Sequence, residues 1–415
     1  MSTTEKLTAE ERVLLEKMIS GALSLRKIEE ETADKAAAAK LRRAFLEAQK
    51  DVSLDHISNL TFDTEQVGKK NVENMIGAIQ LPLGVAGAIV IRGEYAQGSY
   101  YLPLATTEGA LVASVNRGCS IISKSGGATV RVFKNVMTRA PVFKLNSLEE
   151  TKAFYDWIML PETFDKLKAA AEATTRFGKL LEIVPFVSGN NIHLRLGFDT
   201  KDAMGMNMVT IASEAITKVI ADEKGVPCVS LSGNMCTDKK PSAINAILGR
   251  GKTVIAEARL SDSFIRETLK CTAESMFDVN YRKNFLGSMR AGSLGFNAHA
   301  ANIVAALFLA CGQDPAHVVE GSLTVTEMDF DQNGDLICSV TMPAVEVGTI
   351  GGGTTIATQQ ECLKLLGVSG AGGTPGDNAL ALSEIVAAAV LAGEISLIAA
   401  QAAGHLARAH AQLGR

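Results

Sequence analysis

Aromatic residues are scarce, 5% of the chain with a single tryptophan, and the seven cysteines contain no CxxC pair. The first scarcity predicts an aliphatic core, since Gly, Ala, Val and Ile are abundant instead. The second excludes a zinc ribbon, and an odd count of scattered thiols suits a reducing compartment better than a disulfide framework. Neither sign of charge is in excess. A net charge of −4 and a pI near 6.0 give no reason to expect nucleic acid or an anionic membrane as partner. The longest apolar runs are interrupted by Glu394, or by Gln80 and Pro82, and read as buried core rather than membrane spans. The opening "MSTTEKLTAEERVLLEKMIS" lacks the apolar stretch of a signal peptide. No spacing of His, Cys, Asp and Glu suggests a metal, and no GxSxG suggests a serine hydrolase. The expectation is a soluble, cytoplasmic protein.

The chain's 415 residues exceed one ordinary compact domain. Residues 4–70 alternate charged and apolar positions at helical spacing. From Glu73 the texture changes to the Gly-punctuated strand "ENMIGAIQLPLGVAGAIVI", followed by "TEGALVASVNRGCSII", a buried helix. Residues 141–230 form a unit of their own. "PVFKL" reads as a strand, Ser147 with Glu150 as a capping box opening a helix over 148–160, and "ETFDKLKAAAEAT" as a second helical stretch. "KLLEIVPFV" and "NIHLRLGF" form a hairpin across "SGN". A helix from about Met204 to Glu223 and the strand "PCVSLS" complete a β-α-β-β-α-β order, the ferredoxin-like arrangement. No linker flanks it, so it reads as an insertion. The predicted class is α+β: a helical N-terminal domain (1–72), a large α/β domain (73–140 and 231–415) and an inserted ferredoxin-like domain (141–230).

Several stretches could carry chemistry. Ala246–Thr253, "AILGRGKT", fits a loose P-loop pattern, but a P-loop needs a strand before it and a helix after it. Here "PSAINAIL" is helical and "TVIAEARL" is a strand, so the ATPase reading fails on element order and Lys252 reads as structural. Asp238-Lys239-Lys240 is either a solvated charge cluster or a lysine kept cationic to face a developing oxyanion. "VGTIGGGTT" is either a specialised turn or a close backbone approach to a ring or pyrophosphate. "DAMGMNM" places three methionines around Gly205, which is as consistent with core as with a cofactor. Glu108 and Asp314 are acids in apolar sequence, where burial would raise a carboxyl pKa and suit proton donation. His405 and His410 read as surface or core residues on spacing alone.

Taken in order, "ENMIGAIQLPLGVAG", "TTEGALVASVNRGC", "DAMGMNM", "SGNMCTDKKPSAINAILGRGK", "GFNAHAANIVAALFLACGQD", "GTIGGGT" and "LAGEISLIAAQAAGHLARAH" resemble segments of the 3-hydroxy-3-methylglutaryl-CoA (HMG-CoA) reductases. The resemblance runs from Glu73 to His410, about four-fifths of the chain, and is nearest the biosynthetic, NADPH-using class. It implies a CoA-binding large domain, an inserted cofactor domain, dimers or tetramers with shared sites, and two hydride transfers that turn HMG-CoA into mevalonate and CoA. Relatives in higher organisms carry a membrane anchor and a serine phosphorylation site after the catalytic histidine. This sequence shows neither, which points to a microbial enzyme or to the soluble catalytic part of a longer one.

By the same resemblance Lys239 is the catalytic lysine, Glu108 the proton donor to the carbonyl oxygen, and Asp314 the aspartate hydrogen-bonded to both. His410, on a mobile C-terminal flap, protonates the departing CoA thiolate, and His405 is structural. Arg139, Ser232, Asp238, Lys240, Lys283 and Asn302 match substrate-binding positions, and Asn116, Arg117 and Lys270 match CoA contacts. Thr175 and Arg176 match the site of the NADPH 2′-phosphate. Asp202, Met204, Gly205, Met206 and Asn207, with Gly351, Gly352 and Gly353, match further cofactor contacts. Two departures stand out: Ser120 where many relatives have Arg, and "GFNAHAAN" where many have a longer motif. The competing readings are NAD-dependent mevalonate oxidation, with Asp199 the acid to watch, and a catalytically silent acyl-CoA-binding protein.

Overall fold

The computed structural model describes residues 7–404. Its first three α-helices are Ala9–Ile19, Lys35–Lys50 and Thr64–Lys70. Each opens on an oxygen-bearing cap that satisfies first-turn amides: Thr8 in a reciprocal capping box with Glu11, Asp34, and Asp63. The first two close over a small core that includes Leu15, Met18, Ile28 and Leu41, and the third packs Val67 with Ala39 and Met75.

Ten strands follow: β1 (Leu83–Arg92), β2 (Gln97–Ala105), β3 (Ala128–Arg139), β4 (Val142–Lys144), β5 (Lys179–Ser188), β6 (Asn191–Asp199), β7 (Cys228–Ser230), β8 (Gly251–Leu260), β9 (Val325–Phe330) and β10 (Leu336–Val345). They run in the order β7-β4-β6-β3-β8-β10-β9, with β1 beside β2 and β3, and β5 beside β6. The long strand β3 belongs to two sheets. Its first part pairs antiparallel with β8 as far as Val136 opposite Gly251. Its last three residues pair with β6, Met137 opposite Phe198 through Arg139 opposite Leu196. The chain leaves the large sheet at Ala140 and returns beside it, where Ala140 and Ser232 form an isolated bridge and Gly233 N–H donates to Ala140 O at 2.6 Å.

Between those two points lies a unit with its own core, centred on Phe143, Phe154, Leu167, Leu194 and Ile216. The expected helix over 148–160 ends at Ile158, and Pro161 starts another at the first helical position. The expected capping box is half formed. Ser147 Oγ accepts from Glu150 N–H, but the Glu150 carboxylate turns to the backbone of Asn146. The next helix, Met206–Lys224, begins at Gly205 (φ +100), where a Cβ would stand 2.3 Å from Thr200 Cγ2.

The large core is packed around the helix Asp377–Ala402, most of whose residues are buried. Among the described residues it is the one helix long and apolar enough to cross a membrane by length and composition, yet 83% of its most apolar window is buried within the fold. Its two acids explain the placement. Glu384 accepts from the backbone N–H groups of Glu94, Tyr95 and Ala96, and Glu394 from Ala298 N–H, His299 N–H and Thr326 Oγ. A buried carboxylate is tolerated when such donors surround it. The helix Leu111–Lys124 packs against it so closely that a Cβ on Gly118 would stand 1.9 Å from Ala392 O.

The P-loop match has the element order read from sequence: helix Ala243–Leu248, cap Gly249, then β8. Lys252 lies inside that strand, 1% exposed, and donates to Val347 O at 2.8 Å.

Candidate active site

The loop after β7 carries Asp238, Lys239 and Lys240. Three of its non-glycine residues adopt left-handed backbone: Asn234 (φ +62), Thr237 (φ +48) and Lys239 (φ +58). Such residues persist where surrounding contacts over-determine them. Here Asn245 Nδ2 donates to Thr237 O at 3.1 Å, and Lys239 N–H donates to Glu320 Oε1. The strained turn presents the Lys239 ammonium to Asp314, with Nζ 2.8 Å from Oδ2. That hydrogen bond raises the Lys239 pKa against the opposing effect of partial burial. Asp314 moves the other way from the sequence expectation. Burial works to raise its pKa, but the bonds from Lys239 and from Ala316 N–H prevail, and it stays below the usual carboxylate range.

Beneath this pair lies a cluster that sequence reading did not find. Arg250, 0% exposed, donates from Nη1 to Glu346 Oε1 at 2.6 Å and reaches Asp238 Oδ1 from Nη2 at 3.1 Å and Glu320 Oε1 at 3.5 Å. His317, also 0% exposed, donates from Nε2 to Asp238 Oδ1 at 3.0 Å. Burial pushes the Glu346 carboxyl up to about 7, despite Arg250. His317 also titrates above its ordinary value: burial alone would lower it, and the carboxylates of Asp238 and Glu346 reverse that. Burial works to raise Asp238 as well, but His317 and Arg250 hold it well below the carboxylate range. Asp238, His317 and Glu320 offer donor atoms within 4.8 Å of one another, but the cation already bonding two of them is the Arg250 guanidinium. The only sequence clue was "DPAHVVEG", in which His317 and Glu320 follow Asp314 by one turn and two.

Asp314 also borders a cleft of about 640 Å³. Its walls bring together two segments distant in sequence, Met204-Gly205-Met206-Asn207 and Gly351-Gly352-Gly353. Asp202 is not part of this lining. Its carboxylate, 2% exposed, accepts from the backbone N–H groups of Gly372, Gly376 and Ala379 and ties the loop to the start of the central helix. Thr175 touches the cleft only through Met208, whose Sδ lies 3.1 Å from its Oγ1, and Arg176 is exposed outside it.

The other candidates fall in three places. Glu108 is exposed rather than buried, and its side-chain hydrogen bond is with Asn302 (3.3 Å), not with Lys239 or Asp314. Arg139 ends β3 beside Ser232, and its Nε is buried without a hydrogen-bond partner. A buried donor without a partner calls for one that the described residues do not supply. Lys283 sits in the π-helical turn Asn280–Gly287, donates to Asn284 Oδ1 at 3.0 Å, and has its pKa lowered by burial. Ser232 Oγ lies 3.7 Å from Cys236 Sγ, and Lys240 donates back to Asp238 O. On the helix Leu111–Lys124, Asn116 accepts from Gly87 N–H and Arg117 grips Ser396 through Oγ (3.0 Å) and O (2.7 Å). Arg117 also lies against Cys271, the neighbour of exposed Lys270. His410 and His405 lie outside the described residues.

Residues 38–415 match the family model described as hydroxymethylglutaryl-coenzyme A reductase. The chain is 51% identical over 404 residues to a 3-hydroxy-3-methylglutaryl-coenzyme A reductase of Pyrococcus abyssi, covering 97% of this chain and 99% of the relative. It is 52% identical over 409 residues to one of Methanocaldococcus jannaschii, covering 97% and 98%. A class II 3-hydroxy-3-methylglutaryl-CoA reductase of Streptococcus pneumoniae, solved bound to NADPH in open conformations, shares the fold at a TM-score of 0.65 and 20% identity over 96% of this chain and 98% of that one.

Proposed function

Since the chain belongs to the hydroxymethylglutaryl-coenzyme A reductase family, we propose that it reduces HMG-CoA to mevalonate and free CoA, consuming two NADPH. The observation that carries this reading is the Lys239–Asp314 pair, 2.8 Å apart, at the edge of a glycine- and methionine-lined cleft. The cleft suits a dinucleotide. The helix Met206–Lys224 has no side-chain cap on its first-turn N–H groups, and at Gly351 and Gly352 nothing stands within 4 Å of where a Cβ would be. A nicotinamide bound there would supply hydride to the thioester carbon.

The residues do the rest. Hydride addition leaves charge on the carbonyl oxygen, and Lys239, held cationic by Asp314, stabilises it by about 3–4 kcal/mol. Glu108 donates the proton that quenches this oxygen. Arg139, with its unpaired Nε, binds the substrate carboxylate together with Ser232, Asp238, Lys240, Lys283 and Asn302. Asn116, Arg117 and Lys270 face the phosphates of CoA. When that oxygen gives its proton back and the C=O reforms, the C–S bond breaks, and His410 protonates the departing CoA thiolate, whose pKa near ~8.5 would otherwise let it return. A second hydride and a proton then reduce the aldehyde to mevalonate. Arg176, with Thr175, pairs with the 2′-phosphate and favours the biosynthetic class. The acid that NAD-dependent oxidation would use, Asp199, is held instead by Lys201 Nζ at 2.5 Å and by its backbone N–H. The enzyme works in the cytoplasm as a homodimer or a pair of dimers, with sites shared between subunits.

The test is HMG-CoA-dependent oxidation of NADPH and of NADH in parallel. NADPH preference with two cofactors consumed per HMG-CoA is expected. Preference for NADH, or no HMG-CoA dependence, would overturn the reading.

A further inference from the structure

Three polar atoms in the buried cluster have no hydrogen-bond partner, Glu320 Oε2, His317 Nδ1 and Glu346 Oε2, and the last two bear on each other. These two face each other at 3.6 Å, and both residues are essentially inaccessible. A bare imidazole nitrogen facing a bare carboxylate oxygen in a low-dielectric interior is disfavoured, and a proton on either atom relieves it. The other ends of the same two side chains are committed: His317 Nε2 to Asp238 Oδ1, and Glu346 Oε1 to Arg250. Asp238 immediately precedes Lys239, whose left-handed backbone needs holding.

Resting on the activity proposed above, we propose that His317 and Glu346 are positioning residues. The His317 Nε2–H holds Asp238, and through it the Lys239 turn, and a proton shared by His317 Nδ1 and the Glu346 carboxyl keeps the ring in place. Loss of that proton leaves a carboxylate against a bare ring nitrogen, and the turn loosens.

The groups facing His317 from each neighbouring element are consistent with one mobile proton. They are Asp238 and Lys239 on the loop, Arg250 at the threshold of β8, Glu346 after β10, Glu320 on its own short helix and Asp314 on the preceding turn. Within the buried set, Asp238, Glu320 and Glu346 carry negative charge when ionised, and Arg250 and His317 positive charge when protonated. Three acids share two cations. The odd charge is relieved by retaining a proton, and Glu346, His317 and Glu320 are all displaced toward holding one. The facing, unpartnered atoms of His317 and Glu346 place it on that couple. The sign follows: the turn is firm on the acid side of the couple's titration and slackens as pH rises through and above about 7. Turnover therefore has an alkaline limb that belongs to this couple rather than to Lys239, whose own pKa is raised.

The experiment measures kcat against pH for the full chain with HMG-CoA and NADPH, using wild type, His317→Ala, His317→Gln and Glu346→Gln. The same proteins are followed by 15N imidazole NMR and thermal melting. His317→Ala should lower kcat about tenfold or more with the KM for NADPH unchanged, the scale of a lost hydrogen bond to a charged group. His317→Gln can still donate to Asp238 but cannot titrate, so it should regain much of kcat and lose the alkaline limb. Glu346→Gln should lose the same limb and move the His317 titration to lower pH. Wild-type kcat and an intact limb in all three variants would overturn the inference, as would equal losses in Ala and Gln with the limb unchanged. If His317→Ala melts without cooperativity, the two Gln variants decide. Should the wild type not oxidise NADPH with HMG-CoA, the activity reading fails, and the NMR titration with Glu346→Gln decides separately whether the proton is shared.

Discussion

Lys252 offers a quantitative check on the claim that the lysine of the P-loop-like stretch is a buried structural cation. It is 1% exposed, donates to Val347 O, and has its pKa driven by burial from 10.5 to about 8, although Asp199, Asp202 and Glu346 pull the other way. At ~1.36 kcal/mol per pH unit, that difference means the protonated form costs the fold about 3 kcal/mol relative to the unfolded chain. The sign is opposite to that of an ion-paired lysine. The cost is fully present below about pH 8, is relieved as pH climbs toward 10.5, and is gone above it, because the unfolded chain binds the extra proton throughout that window. Lys252→Met removes the titration while keeping a side chain of similar length. Denaturant unfolding of wild type and variant at intervals from about pH 7.5 to about pH 10.5 should show the stability difference moving about 3 kcal/mol in favour of wild type. A difference flat to within about 1 kcal/mol would refute the reasoning and place Lys252 in contact with water or with an unrecognised acid.

Lys239→Ala should lower kcat/KM for HMG-CoA by about 10²–10³-fold with folding intact, as expected for one pre-organised electrostatic donor, and initial rates check it. Asp314→Asn removes the main cause of the raised Lys239 pKa, so a second loss of activity, more alkaline than the limb of the His317–Glu346 couple and governed by Lys239, should move to lower pH in a kcat/KM–pH profile. Arg176→Ala should raise the KM for NADPH about tenfold and leave that for NADH nearly unchanged, since only one carries the 2′-phosphate. Asp202→Asn separates anchor from cofactor ligand. It should cost about 1–3 kcal/mol in unfolding experiments, by disturbing three buried amide bonds, with little change in the KM for NADPH.

The β-α-β-β-α-β order, the helical N-terminus and the buried C-terminal helix could be read from periodicity and capping because those signals are local. Boundaries moved where tertiary contact overrode them. β7 is three residues long because it needs only to meet β4, and the capping box at Ser147 is half used because Asn146 N–H competes for Glu150. Lys239 with Asp314 was legible only through resemblance, since 75 positions separate them in the sequence. Two readings failed for one reason. Apolar sequence around Glu108 and Asp314 suggested burial, but solvent access and hydrogen-bond partners are set by the fold, which leaves the first exposed and gives the second two donors. Arg250, His317, Glu320 and Glu346 carry no motif. They converge because two strand ends and a short helix meet, and no spacing in one dimension encodes that meeting.

The bridge between Ala140 and Ser232 closes the neck of the inserted unit, and β3 has completed its register with β8 by Val136, before the detour begins. The neck is not the sole attachment, because the Asp202 carboxylate binds the backbone of Gly372, Gly376 and Ala379 and Ala203 bridges Ile350. A unit pinned at both places cannot swing freely about its neck, so whatever enters the cleft between residues 204–207 and 351–353 meets walls already in position.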